Sequence, residues 1–470
     1  MLSIQEGGPM LIRNGTLVVA DGMLRADLRV EGERIAAIGD LLPYPGEPVV
    51  DAAGCMVLPG LVDPHVHIAL DTGIYRTDDD WFIGTRAAAF GGVTTVVDFA
   101  TQFRGQTFEE ALASRLEEAR GKAVVDYALH MMVTDLPPGK EGELGKLVAQ
   151  GVAGIKLYTT YRPNYYADDA TLLRLMRAAG ALGLITMVHC ENDAMVTEAI
   201  ERLKAEGQTS LREHGRSRPP FAEVEAVHRV LFLAAEAHAP VYIVHCSTAR
   251  AVDLVHEAAR QGQPAFAETC PQYLLLDETA YGGPHPEWYI LQPPLRPAAE
   301  RAGLWERLHR GWIAAIGTDH CDYTLRQKTA TGSFLTTPGG LPGLETMLPL
   351  LYTFGILEGR IGWPDLVRLC ATNPAKLFGL YPRKGALQPG SDADLVLYDP
   401  EPEEILTAAH LHYIAGYTPY EGWRVRGRVR TVMVRGQIVV EDGVFRGTPG
   451  WGRFVPAETF SLQMARSALS

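Results

Sequence analysis

The chain has 470 residues, 47% of them hydrophobic and 21% charged, an ordinary globular balance with room for a large barrel and a smaller domain. Its formal net charge of −13, from 43 basic and 56 acidic residues with no basic cluster, argues against a phosphate-backbone partner, so no nucleic acid is expected. No apolar run reaches the roughly eighteen residues of a membrane span, the opening residues lack a signal-peptide pattern, and the 6 cysteines stand singly; a cytoplasmic protein with no membrane segment and no disulfide framework is expected.

Residues 11–56 alternate short apolar runs with turn residues, as in Leu17-Val18-Val19-Ala20 and Arg34-Ile35-Ala36-Ala37-Ile38-Gly39, which is a strand-and-turn pattern. The same texture returns in Ala393-Asp394-Leu395-Val396-Leu397-Tyr398 and along 430–440. Both ends are therefore expected to join in a small β-sandwich, 1–57 with 387–450. Between them buried strands alternate with helices, the signature of parallel β/α architecture. Strands are predicted at 60–67, 93–100, 126–133, 154–158, 185–191, 241–247, 264–270 and 313–320, with helices at 107–120, 169–182, 224–238 and 251–261 among those between. Eight such units predict a TIM-type (β/α)8 barrel over 58–386; a doubly wound open sheet fits the alternation too, but the strand count favours closure. Residues 451–470 read as a C-terminal arm.

Ligand-type side chains recur where these strands end, the rim at which barrel enzymes carry their chemistry. His65 and His67, one residue apart, point the same way from a strand and can grip one metal ion. Lys156 lies in the fourth strand, His189 ends the fifth, His245 the sixth and Asp319 the eighth, with His320 as a weaker alternative to its neighbour. Singly each has a bland reading: a hydrogen-bonded histidine, a capping aspartate, a buried lysine paired with a carboxylate. Five strands delivering such groups to one rim make a metal cage the better reading. In it Lys156 would react with CO2 to give a carbamate, an anionic ligand able to bridge two metals; imidazole and carboxylate suit zinc, and manganese or cobalt fit the same donors.

The motifs Val62-Asp63-Pro64-His65-Val66-His67, Gly154-Ile155-Lys156-Leu157-Tyr158, Val188-His189-Cys190-Glu191-Asn192, Val244-His245-Cys246-Ser247 and Gly317-Thr318-Asp319-His320-Cys321 together resemble the cyclic amidohydrolases, in particular the dihydropyrimidinase/D-hydantoinase group. The likeness continues in Pro293-Pro294-Leu295-Arg296 and Asn373-Pro374-Ala375-Lys376-Leu377-Phe378 and spans nearly the whole chain. It implies a hydrolase that opens dihydropyrimidines or 5-substituted hydantoins to N-carbamoyl amino acids, acting as a homotetramer. It also implies two Zn2+ per subunit: His65, His67, carboxylated Lys156 and Asp319 on one, the Lys156 carbamate, His189 and His245 on the other, with a bridging hydroxide as nucleophile. Asp319 would carry the proton to the leaving nitrogen, and Tyr161 would hydrogen-bond the developing oxyanion.

Two substrate-binding positions depart from the family pattern. Gln292 stands where Ser is usual, and Gly339 where many hydantoinases have Asn. Ala69 replaces the arginine that a dihydroorotase uses, and the stretch after the metal pair departs from that of allantoinases, which stay as an alternative. A non-catalytic scaffold of the same fold is disfavoured because all six ligand positions are intact. Trp81, Tyr158, Tyr165 and Tyr166 suit an apolar exocyclic substituent, gated by loops 68–80 and 159–168.

Overall fold

The structure, a computed structural model, describes residues 8–152 and 154–464; the parts of the expected sandwich and arm at 1–7 and 465–470 lie outside them. Eight parallel strands follow one another in chain order around a barrel: β1 (Leu61–Val66), β2 (Val93–Thr101), β3 (Asp126–Met132), β4 (Gly154–Tyr158), β5 (Ile185–His189), β6 (Val241–Ile243), β7 (Ala265–Thr269) and β8 (Ala315–Ile316). Beyond β8 the chain meets β1: Val66 bridges His320, Asp319 N donates to His65 O at 2.9 Å, and His67 N donates to His320 O at 2.8 Å. Sequential order plus this closure makes the architecture a TIM-type barrel and rules out the doubly wound sheet.

The predicted helices stand close to where periodicity placed them. Phe108–Ala119 opens on a capping box between Thr107 and Glu110, and Asp169–Ala181 and Ala249–Arg260 are capped by Asp168 and Thr248. Pro220–Ala237 begins four residues before the expected start, with Pro220 in the first turn, where its missing N–H costs nothing. β6 and β8 end sooner than predicted, at Ile243 and Ile316 rather than at Ser247 and His320. The reason is local: His245 (φ 40°) and Asp319 (φ 51°) adopt the left-handed region, which a strand does not accommodate.

The chain ends do come together. A seven-stranded sheet takes Thr16–Val19, Gly22–Arg25 and Met56–Pro59 from the first part and Leu395–Ile405, Arg424–Val434, Gln437–Glu441 and Val444–Phe445 from the last, with Met56–Pro59 antiparallel to Leu395–Ile405. A four-stranded sheet, Met10–Arg13, Asp27–Glu31, Arg34–Gly39 and Val49–Asp51, packs on it through Ile12, Leu28, Val57, Leu395 and Met433, all buried. Residues 450–460 run across the opposite end of the barrel from the rim, pairing Val455 N with Tyr127 O, Ala457 N with Gly151 O and Phe460 N with Gly183 O. The described part of the arm thus lies on its own barrel.

Candidate active site

The motif around the first two histidines is built into the barrel seam. Buried Asp63 accepts from His65 N at 3.2 Å and from Thr318 N at 3.1 Å and Oγ1 at 2.6 Å, so it locks the end of β1 to the turn after β8. That lock brings Asp319 Oδ1 to 3.3 Å from both His65 Nε2 and His67 Nε2. Lys156 Nζ, from β4, stands 3.4 Å from the same His65 nitrogen. On the other side of Lys156's environment, His189 from β5 faces His245 beyond β6, Nδ1 to Nε2, at 3.0 Å. All six predicted ligand residues are therefore brought to one rim.

Two carboxylates that sequence reading did not single out fix how these imidazoles present themselves. Glu268 in β7 accepts from His65 Nδ1 at 2.8 Å, His245 N at 2.9 Å and Tyr242 Oη at 2.9 Å. With its Nδ1 proton committed to Glu268, His65 turns its Nε2 lone pair toward Lys156 and Asp319. Glu191 does the same for His189, accepting from Nε2 at 2.7 Å and leaving Nδ1 to face His245. Such outer carboxylates set the tautomer and basicity of metal-ligating histidines. Burial pushes Glu268 up to about 8, whereas Glu191 is held at about 2 because Arg218, His189 and Arg296 around it together outweigh its burial.

Desolvation holds the His65, His189 and His245 imidazoles below their ordinary range, so they stay neutral and keep lone pairs to donate. Burial also pushes Lys156 down to about 8, which leaves a sizeable fraction of neutral amine near neutral pH. Asp319 is buried, yet His65, His67 and Lys156 around it keep it below the usual carboxylate range. His67 Nδ1 and His245 Nδ1 are buried without a hydrogen-bond partner among the described residues. Neutral imidazoles converging on each other and on a carboxylate, with buried nitrogens unpartnered, are a donor set that fits divalent metal ions. His65, His67 and Asp319 place ligand atoms within 4.8 Å of one another. His320, the weaker alternative, turns away: its Nδ1 accepts from Gly343 N at 3.1 Å.

A cavity of about 410 Å3 opens over these groups. Tyr161, Gln292 and Gly339 all line it. Tyr161 sits at φ 75°, a conformation that costs a non-glycine residue and is tolerated where the surroundings impose it. Its ring lies 5.1 Å from that of His189 and 5.0 Å from the Arg218 guanidinium, and burial raises its hydroxyl well above the ordinary range, so it stays a proton donor. Leu70, Ile74, Tyr75, Tyr165, Phe334 and Leu335 give the cavity lining an apolar share, beside polar Thr72, Arg162, Asn164 and Thr337 from the same loops. Tyr165 Oη donates to Thr72 O at 2.7 Å and Tyr75 Oη to Thr336 O at 2.8 Å, tying loops 68–80 and 159–168 to each other and to a third loop. Trp81 and Tyr166 do not line the cavity. Trp81 is buried against Tyr127 and Arg115 at the start of its helix, and Tyr166 stacks under Arg162.

A TIM-type barrel with histidines, a lysine and an aspartate gathered at its C-terminal rim defines a metal-dependent hydrolase class. Residues 56–439 match the amidohydrolase family. The chain is 38% identical over 460 residues to a D-hydantoinase of Geobacillus stearothermophilus, covering 97% of this chain and 98% of that one. It is 40% identical over 456 residues to a D-phenylhydantoinase of Escherichia coli O81, covering 96% and 98%. The crystal structure of a dihydropyrimidinase from Brevibacillus agri superposes with a TM-score of 0.94 at 39% identity, over 96% of this chain and 99% of that one. The chain belongs to the amidohydrolase family, in its hydantoinase and dihydropyrimidinase branch.

Proposed function

We propose that this protein is a hydrolase that opens the ring amide of 5-substituted hydantoins and dihydropyrimidines, releasing N-carbamoyl amino acids. The observation that carries the reading is the convergence of His65, His67, His189, His245, Asp319 and a Lys156 with no carboxylate at salt-bridge distance among the described residues, beneath a cavity partly lined by apolar side chains. His65, His67 and Asp319 would hold one divalent metal, His189 and His245 a second, and carboxylated Lys156 both; zinc is the metal of choice for these donors. Bound there, the metals supply Lewis acidity that activates water and polarises the ring carbonyl.

The chain's own groups account for the rest. The Asp319 carboxylate, kept ionised, takes a proton from water and returns it to the ring nitrogen as the C–N bond breaks. The Tyr161 hydroxyl, kept protonated by its burial, donates a hydrogen bond to the carbonyl oxygen as charge develops there. Leu70, Ile74, Tyr75, Tyr165, Phe334 and Leu335 receive the exocyclic group. The six cysteines, all buried and unpaired, suit a cytoplasmic setting, and we extend the reading to a homotetramer, which light scattering in solution checks. No helix among the described residues is long and apolar enough to cross a membrane.

The test is a turnover panel on the zinc-supplied protein: dihydrouracil, dihydrothymine, hydantoin, 5-benzylhydantoin, allantoin and dihydroorotate, scored by N-carbamoyl product. Turnover highest on hydantoins or dihydropyrimidines is expected. Product from none of the first four would overturn the reading.

A further inference from the structure

Ser217-Arg218-Pro219-Pro220 is the turn into the helix Pro220–Ala237. That helix start is docked just beyond the end of β5, where Asn192 N donates to Ala222 O at 2.9 Å, so the turn lies beside the residues that follow His189. Arg218 is 8% exposed and lines the cavity. Its carbonyl accepts from Nη1 of buried Arg296, and Arg296 is held in turn by Glu223 Oε2 at 3.0 Å and Ser247 Oγ at 2.8 Å. The backbone of Arg218 is therefore anchored from behind, and its side chain faces the site.

The guanidinium reaches two groups that the reaction uses. Nη1 donates to Glu191 Oε2, the same oxygen that accepts from His189 Nε2 at 2.7 Å. Glu191 Oε1 is buried without a partner, so among the described residues these two hydrogen bonds alone fix the rotation of the carboxylate. On its other side the guanidinium carbon lies 5.0 Å from the centre of the Tyr161 ring, within cation–π range. Tyr161 holds φ 75°, a conformation its surroundings must impose, and around its ring stand Tyr158 at 5.8 Å, His189 at 5.1 Å and Arg218. Glu191 is the one carboxylate paired with Arg218 among the described residues. Burying such an ion pair gains little stability over apolar side chains of similar volume, so stability alone does not account for Arg218.

We infer that Arg218 is a positioning residue for the ring-opening reaction: its guanidinium orients His189 as a ligand through Glu191 and holds the Tyr161 hydroxyl over the reacting carbonyl. The inference rests on the proposed activity and adds to it a residue that acts through two others. A lysine cannot make both contacts. An ammonium can pair with Glu191, but the planar guanidinium pairs with a carboxylate and lies against an aromatic ring at once.

Two measurements need no substrate. Competition with a chelator should show zinc bound about tenfold more weakly in Arg218→Met, the scale of losing a group behind a metal ligand, and within about threefold of wild type in Arg218→Lys. A crystal structure of Arg218→Lys should show the Tyr161 ring displaced from its place beside His189. At saturating zinc, on the best substrate of the turnover panel, Arg218→Lys is expected to lose about tenfold in kcat with KM within about twofold. In the Tyr161→Phe background the same change should cost less than about threefold, because no hydroxyl is left to place. Unchanged zinc affinity in Arg218→Met, a wild-type kcat in Arg218→Lys, or effects of Arg218→Lys and Tyr161→Phe that multiply would each overturn the inference. Should Arg218→Met not fold, the Arg218→Lys cycle and structure decide alone. If nothing in the panel turns over, a displaced Tyr161 ring in Arg218→Lys supports the positioning and brings down only the ring-opening reading, whereas an unmoved ring overturns the positioning as well.

Discussion

Two lysines are buried to the same degree at opposite ends of the barrel, each 1% exposed, and they are treated in opposite ways. At the end where β3 begins, Lys384 Nζ touches Asp126, Asp392 and Asp394, the last two at 2.8 Å, and Arg435 reaches the same Asp126. At the rim, Lys156 has no carboxylate at salt-bridge distance among the described residues and only His65 Nε2, at 3.4 Å, as hydrogen-bond partner. Burying an ammonium is costly, and the usual remedy is the one Lys384 shows. Lys384 is a strut that joins the barrel to the sandwich and the segment before it. Lys156 is left short of partners, and its burial shifts it toward the neutral amine against the pull of Asp319 and Glu268.

Replacing each lysine should separate the two roles most sharply. Lys156→Ala is expected to lose bound metal and at least about 10³-fold in kcat while keeping the Tm of the metal-free parent, with partial recovery by short-chain carboxylic acids; metal analysis and turnover check this. Full activity in that variant would place Lys156 in the same structural class as Lys384. Lys384→Met leaves buried Asp394 without a cation among the described residues, and Asp126 and Asp392 with only their arginines, and should cost about 3–5 kcal/mol of stability in denaturant unfolding, with metal content of the folded fraction unchanged.

A smaller effect tests the histidine supports. Glu191→Gln should weaken zinc binding by about 10–100-fold, measured by competition with a chelator, because the amide no longer sets the His189 proton as a carboxylate does. The smallest effect concerns pH. The Lys156 amine of the metal-free protein is lowered to about 8, so its neutral, CO2-reactive fraction grows as pH rises through that value. Reactivation of metal-free protein by zinc at a fixed dissolved CO2 concentration should accelerate from pH 7 to pH 8.5 and then level off; a rate that falls over this interval would contradict the assignment.

The barrel strands and the six ligand-type residues were legible because each is a local signal: an apolar run that ends in His, Lys or Asp. Their supports were not, because Glu268 meets His65 across 203 positions of sequence and a single chain carries no trace of such a meeting. The one available hint was a glutamate inside the otherwise apolar Ala265-Phe266-Ala267-Glu268, within a strand fully buried in the barrel. Gln292 and Gly339 were legible as departures from a pattern, while their closeness in the cavity wall was not, since only the folded chain sets one against the other. The early ends of β6 and β8 escaped prediction for a related reason: the left-handed turns at His245 and Asp319 are imposed by the barrel and run against the preference of those residues. Trp81 misled because nearness in sequence to the metal strands is not nearness in space.

The crossing of residues 450–460 over the barrel floor has a consequence for the order in which the molecule can be made. Gly450 N and Gly452 N bond Ala123 O, Val455 pairs with Tyr127, and Glu458 N bonds Gly379 O, so the floor is finished only by residues translated after the whole barrel. Met56–Pro59 must likewise wait for Leu395–Ile405. Synthesis therefore exposes a nearly complete barrel with an uncovered base and an unpaired strand edge for the time it takes to translate the segment from Leu395 to Glu458, an interval in which a chaperone has something to hold.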